Sequence, residues 1–267
     1  MKNLIIPILF LIISINSVAQ SNDFPFESGE KLTYSAHYHW GLFWMEAGEV
    51  IFQVDTENTQ SGKILKMKSI GRTLPKYDWL FKVRDTFSST AVYPEMKPLT
   101  FKRSNSEGKD WVRNSYVFDY TQNLLARDME SNVFARRIDT IVLPNVKLLD
   151  IQTAVYYARL WNLEKAKPGD QRLLQIMLVG EFFTIPMTYQ GKEIVKHENG
   201  KRYRCHKITT EVVAGMIFKA NQEISIYVSD DENQIPLVVK APILIGKVEA
   251  YLQQSEKVNF PKEIIKD

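Results

Sequence analysis

The chain has 267 residues, with 34 Lys and Arg against 31 Asp and Glu; apolar residues make up 45% of it and aromatics 12%. That is ample material for a core, which excludes a disordered chain, a collagen-like repeat and a small disulfide-stapled domain, while the formal charge of +3 carries no polyanion-binding signature. Cys205 is the single cysteine, so an intramolecular disulfide is impossible and stability must come from packing.

In chain order, Lys2 and Asn3 form a short positive head, and Leu4 to Ile13 an apolar run interrupted by Pro7. Ser17, Val18 and Ala19 then make a small-residue cleavage pattern before Gln20. Residues 1–19 therefore read as a signal peptide, and 20–267 as a single exported β-rich domain. A membrane span needs roughly 20 apolar residues, so the run is too short to be an anchor, and no transmembrane anchor is expected in the mature chain. No cysteine follows the cleavage site to carry a lipid.

From Leu32 the dominant signal is alternation, with Leu32, Tyr34, Ala36, Tyr38 and Trp40 on one face and Thr33, Ser35, His37 and His39 on the other. Further strands are predicted at 50–54, 64–70, 84–90, around Phe101, and at 111–120, a spacing typical of an antiparallel meander. At Asp150 the period changes: Ile151, Ala154, Val155 and Ala158 fall on one helix face, and Asp150 is placed to cap it. A helix over about 150–161 follows. Pro168-Gly169-Asp170 then turns the chain into a second set of strands at 173–179, 182–189, 202–212, 223–229, 237–239 and 247–252, with a hairpin turn at Asn199-Gly200. The fold class is mainly β, as strongly curved antiparallel sheet in an open-barrel or two-sheet architecture with one short amphipathic helix. No linker divides the halves.

The chemical candidates are few. His37 and His39 share a strand face, a geometry that suits zinc, but no third ligand is identifiable and no metal or other cofactor is expected. Cys205 and His206 are sequence neighbours whose side chains point to opposite faces, so they form no dyad, and Cys205 reads as a buried gap-filler. No G-x-S-x-G elbow occurs. Asp85, Glu107, Asp110 and Asp119 lie in or near strands that could converge, yet carry no assigned catalytic role. Asp230, Asp231 and Glu232 read as a polar hairpin tip. Lys196, Lys201, Arg202, Arg204 and Lys207, with His197, crowd one hairpin offset only by Glu198; such a patch suits acidic glycans or lipid heads, or equally a solvated sheet edge. Nucleic acid is not an expected partner. Trp40, Phe43, Trp44, Trp79 and Phe81 fall near strand ends, where they either plug a barrel mouth or line a groove for an apolar chain or sugar.

Several segments in order resemble the exported bacterial family designated domain of unknown function 3108 (DUF3108). They are Phe26, Gly29, Glu30, Leu32 and Tyr34; Trp40-Gly41 with Ala47-Gly48; Asp85-Thr86-Phe87; Asp150, Ala154 and Tyr156-Tyr157-Ala158-Arg159; and Tyr227-Val228-Ser229-Asp230 with Pro236 and Gly246. The resemblance implies a curved antiparallel sheet with little helix, broadly similar to envelope carriers such as lipoprotein chaperones, in the periplasm of a Gram-negative bacterium. It implies no catalytic residues. Of the residues that carry it, Arg159 lies on one side of the predicted helix, where it could reach a sheet carboxylate.

The functional expectation is a non-enzymatic binding or carrier module for an apolar or amphiphilic envelope component, a lipid or glycan. The alternatives are an assembly protein acting through envelope protein partners and an envelope hydrolase.

Overall fold

The computed structural model describes residues 24–211, 223–243 and 246–264; residues 1–19, expected to be a leader, lie outside them, as does Val212 at the end of one predicted strand. A first run of strands comprises β1 (Glu30–Trp40), β2 (Phe43–Thr59), β3 (Gly62–Thr73), β4 (Val83–Val92), β5 (Lys97–Glu107), β6 (Asp110–Asp119), β7 (Leu124–Ser131) and β8 (Arg137–Val142). After β9 (Leu148–Asp150) and α1 (Ile151–Ala158) come β10 (Gln171–Leu178), β11 (Glu181–Lys196), β12 (Arg202–Glu211), β13 (Glu223–Ser229), β14 (Pro236–Pro242) and β15 (Lys247–Glu256).

All fifteen strands belong to one sheet. Each run is an antiparallel meander, and β1 pairs with β15 to join them, giving the order β8 through β1, then β15 down to β9. The β9–β10 pair is parallel. No hydrogen bonds join the two edges, β8 and β9, so the sheet is an open curl rather than a closed barrel. Its two ends nevertheless meet: Arg127 of β7 donates Nη1–H to the Gly180 carbonyl of the β10–β11 turn at 2.5 Å, and Met177 of β10 packs with Phe101 and Tyr116. A sheet of this length has to coil because every strand pair adds twist of the same hand.

The hollow so made is filled. Helix α1 lies in it and contributes to three of four apolar clusters: Ala154 packs with Leu174 and Ile208, Ile151 with Leu148 and Phe101, and Tyr156 with Phe26, Leu65 and Met67. The fourth, around Tyr34, Cys205, Leu237 and Leu252, lies under the joined strands. Asp150 caps α1 as expected, its carboxylate accepting the Thr153 N–H at 2.9 Å, the Thr153 hydroxyl at 2.7 Å and the Ser89 hydroxyl at 2.5 Å. Burial pushes the Asp150 carboxyl up, and the Ser89 and Thr153 hydrogen bonds oppose it.

The expected one-sided burial of α1 requires correction. Gln152 and Thr153, off the predicted apolar face, are among its most buried residues, whereas Ile151, Val155 and Ala158 are half-buried. The sheet wraps the helix from several sides, so its polar face is met by polar partners, such as Ser69 Oγ donating to Gln152 Oε1 at 2.8 Å.

Burial along β1 also departs from simple alternation. Leu32 and Tyr34 face the core, yet Ser35 and His37 on the opposite face are buried too, because Glu198 at the β11–β12 tip accepts from Ser35 Oγ at 2.8 Å and pairs with His37. The register slips against β15 between Thr33 and Tyr34 and against β2 between Ala36 and His37, sharpening the local bend.

Candidate functional site

Because the strands alternate in direction, the connections divide between two ends of the curl. One end carries the β1–β2, β3–β4, β5–β6, β7–β8, β10–β11 and β14–β15 turns. The connections are tied to their neighbours: the Leu74 N–H at the start of the β3–β4 connection donates to Ala47 O of β2 at 2.9 Å, and the Gly108 N–H of the β5–β6 turn to Lys82 O of the β3–β4 connection at 2.8 Å. A β-carbon at Gly246 would lie against the His39 carbonyl, and one at Gly108 would run into the Phe81 ring at 2.9 Å.

This rim is apolar. Leu42 at the β1–β2 tip is fully exposed, flanked by exposed Trp40, Phe43 and Trp44; the next connection presents Trp79, 81% exposed, with Leu80 and Phe81; Val133, Phe134 and Val179 continue the series. Trp40 and Phe43 stack at 6.1 Å, and Trp44 lies 5.1 Å from the His37 ring and 5.0 Å from that of His39, so the β1–β2 tip is a firm aromatic wedge. Exposed Lys76, Lys82 and Lys109 are interleaved. At the opposite end the turns at Gln60-Ser61, Thr121-Gln122, Glu198 to Lys201 and Asp230 to Gln234 are polar, and Val142 and Val146 beside the β8–β9 connection are exposed apolar residues there.

All five aromatic candidates, Trp40, Phe43, Trp44, Trp79 and Phe81, thus stand on one rim. Leu42, Leu80, Phe134 and Val179 join them there. Single apolar residues in separate turns carry no sequence signal; only the strand directions collect them.

Just below the rim, the inner face of β4–β6 is polar. Register places Asp85 opposite Asn105, Phe87 opposite Arg103, and Arg103 opposite Asn114, with Glu107 two residues beyond Asn105 on the same face. Burial, and then the neighbouring Glu107, raise the Asp85 carboxyl to about 7, against a hydrogen bond from the Ser106 N–H. Burial lowers the Arg103 guanidinium. Of the four acids singled out in the sequence, Asp85 and Glu107 converge; Asp110 accepts from Asn132 in a turn, and Asp119 caps the Thr121 turn. Arg103, Asn105 and Asn114 were not foreseen, although polar residues in the inward phase of a strand are the signal that would have found them.

The remaining candidates are dispersed. The imidazole of His37 is occupied by Glu198 and by Ser35 Oγ at 3.0 Å, and both His37 and His39 lie beside Trp44. Cys205 is fully buried and its thiol is pushed up to about 12 by burial. His206, on the opposite face, bonds Tyr189 Oη through Nδ1 at 2.8 Å and faces Asp230 through Nε2 at 3.0 Å. His206, Asp230 and Glu164 bring three ligand-type atoms within 4.8 Å, the arrangement that most resembles a metal site among the described residues. The Lys192 ammonium already sits 2.8 Å from Asp230 and 3.0 Å from Glu164, so a cation there would have to displace it.

The basic hairpin is β11–β12, which lies between β10 and β13; its reading as a sheet edge is therefore overturned, since the edges are β8 and β9. Nor is Glu198 its only counterweight. Lys207 pairs with Glu193 at 3.0 Å, Lys201 with Glu263 at 3.1 Å, and Arg204 reaches Asp230 at 4.0 Å, while Lys196 and Arg202 stay exposed at the tip. Acids distant in sequence offset part of the patch.

The outer wall of β4–β7 holds a shallow recess of about 460 Å³ bordered by Thr86, Ser88, Lys102, Arg113 and Glu130, and none of the five rim aromatics borders it. No helix among the described residues is long and apolar enough to cross a membrane.

A protein-family model, described as protein of unknown function (DUF3108), matches residues 33–253, which span β1 to β15. The chain belongs to the DUF3108 family. Comparison with curated protein sequences finds no match. Among solved structures, it is similar to a β-barrel-like protein of domain of unknown function DUF1849 from Brucella abortus, at 10% identity and a TM-score of 0.53, over 86% of this chain and 98% of that one. At that identity the likeness concerns the fold alone, and the curled sheet of this DUF3108 chain is the part shared.

Proposed function

We propose that this DUF3108 protein is an exported, periplasmic, non-enzymatic module that binds the surface of an amphiphilic envelope component, a lipid assembly, through its apolar rim. One observation carries the reading: the exposed aromatic side chains among the described residues, Trp40, Phe43, Trp44, Trp79, Phe81, Phe134 and Phe182, all stand at one end of the curl, while most turns of the other end are polar. Tryptophan and phenylalanine beside lysine suit the boundary between headgroups and acyl chains, where an apolar ring is buried and the charge stays wet. Interior carriage is the less favoured form of binding, because α1 and four apolar clusters occupy the curl. Export rests on the leader at residues 1–19.

The test is co-flotation of the protein lacking residues 1–19 with phosphatidylcholine–phosphatidylglycerol vesicles. Transfer of the Trp79 ring, 81% exposed, is worth about 2 kcal/mol, so Trp79→Ser is expected to weaken partition roughly 30-fold. Leu42→Ser should weaken it less. Wild-type protein that stays with the aqueous phase, or variants that float like wild type, refutes the reading.

A further inference from the structure

At the end of the curl opposite the rim, the β4–β5 turn and the β8–β9 connection border a notch of about 220 Å³. One lysine reaches it from each. Lys97, the first residue of β5, holds its ammonium 3.6 Å from the Tyr120 ring centroid. Lys147, in the connection, donates to Glu95 O at 2.7 Å and lies 4.1 Å from the ring centroid of Tyr157 on α1. Arg172 of β10 lies on the same Tyr157 ring, at 4.2 Å.

Among the described residues none of these three cations takes part in an ion pair. The one acidic residue bordering the notch, Glu95, is outnumbered by them. A ring face attracts a cation but accepts few of its hydrogen bonds, so most N–H groups of the two lysines remain to be used. Both lysines are exposed, and a ligand can enter from solvent. The Tyr157 phenol responds to the same field. Burial pushes it up, yet hydrogen bonding to Arg172 and the charges of Arg172 and Lys147 outweigh burial and hold it below its ordinary value. A phenol drawn towards its anionic form marks a place where negative charge is stabilised.

We propose that this notch binds a phosphate group, with Lys97 and Lys147 donating to its oxygens and Arg172, on the ring that Lys147 also touches, reinforcing the positive field. Three cations against one carboxylate favour a doubly charged oxyanion over a singly charged carboxylate, because each added charge on the ligand is attracted by all three. A lysine ammonium is a point charge that suits a phosphate oxygen from any direction of approach. Val146 and Leu148, which also line the notch, offer an apolar wall to the carbon stem of a phosphate ester. The site stands away from the rim, so it does not depend on the rim reading, and a soluble ester can reach it while the rim is engaged.

Two arms separate a soluble ester from a lipid headgroup. Calorimetric titration with glycerol 3-phosphate at low ionic strength reads the first; flotation with phosphatidylcholine vesicles, with and without phosphatidic acid, reads the second. Wild type should bind glycerol 3-phosphate at one site, at least about tenfold more tightly than acetate at the same ionic strength. Lys97→Gln and Lys147→Gln should each weaken binding about tenfold with little change in Tm, since both side chains are exposed. Tyr157→Phe keeps the ring and should bind as wild type does. Bound phosphate should also move the ionisation of Tyr157 to higher pH, read as the tyrosinate absorbance that Tyr157→Phe lacks. A response to phosphatidic acid alone, lost in Lys147→Gln, assigns the phosphate to a headgroup and supports the site. Indifference of wild type to both glycerol 3-phosphate and phosphatidic acid overturns the proposal, as does binding that survives in both lysine variants or that acetate matches.

Discussion

Removing Arg159 should come close to unfolding the protein. Its guanidinium, 4% exposed, donates to both carboxylate oxygens of Glu30, whose side chain has no exposure, and Nη2–H also reaches Pro25 O at 2.6 Å and Asn233 O at 2.8 Å. One side chain thus ties the end of α1 to β1, to the segment before β1 and to the β13–β14 turn. In Arg159→Met the Glu30 carboxylate is left buried without its counter-charge, and two carbonyls lose a donor. Breaking one side of such a pair costs about 3–5 kcal/mol, against a total stability of roughly 5–15 kcal/mol for a domain. Urea unfolding followed by tryptophan fluorescence should show the extrapolated unfolding free energy fall by that amount, as a lower midpoint with an unchanged slope. Glu30→Leu combined with Arg159→Met removes the stranded charge, so the double variant should be more stable than Arg159→Met alone, a positive coupling in a double-mutant cycle. A loss below about 1 kcal/mol in the single variant, or a double variant less stable than it, would refute the argument that burial of an unpaired Glu30 sets the penalty.

Asp85→Asn should flatten the dependence of stability on pH. The folded carboxyl, raised to about 7, keeps a proton that the unfolded chain releases from its ordinary 3.8, so wild-type stability falls as pH rises between those values and is level above. After allowance for its partial exposure the gain at pH 8 is on the order of 1–2 kcal/mol, read by urea titration at pH 4.5 and 8; an unchanged slope contradicts the shift. Asp150→Ala removes the α1 cap and leaves Ser89 and Thr153 without their acceptor, so a loss of about 2–4 kcal/mol is expected by the same titration. Native protein should leave a thiol reagent unreacted until urea is added, since Cys205 is fully buried and its thiol is held near 12; prompt labelling would show that β12 opens.

The alternation from Leu32 to Trp40, the change of period at Asp150 and the turn at Asn199-Gly200 are local properties, and local sequence was enough for them. They give a mainly β chain with one capped helix in the middle. Strands β7 and β8 escaped because Arg127, in the inward phase of β7, breaks the apolar pattern; it is buried against Asp139 of β8 and the Gly180 carbonyl, partners 12 and 53 residues away. Gln152 and Thr153 misled in the same way, being polar residues whose burial depends on what the sheet brings to them.

The candidate site was legible only in part. Trp40, Phe43, Trp44, Trp79 and Phe81 stood out by residue type, but that they share a rim with Leu42 and Phe134 follows from strand direction, and that Asp85 meets Glu107 follows from register between β4 and β5. Periodicity reports which face of its own strand a side chain takes; which strands then lie beside it, and whether the curl is empty or full, depends on pairings between distant segments that no short window of sequence contains.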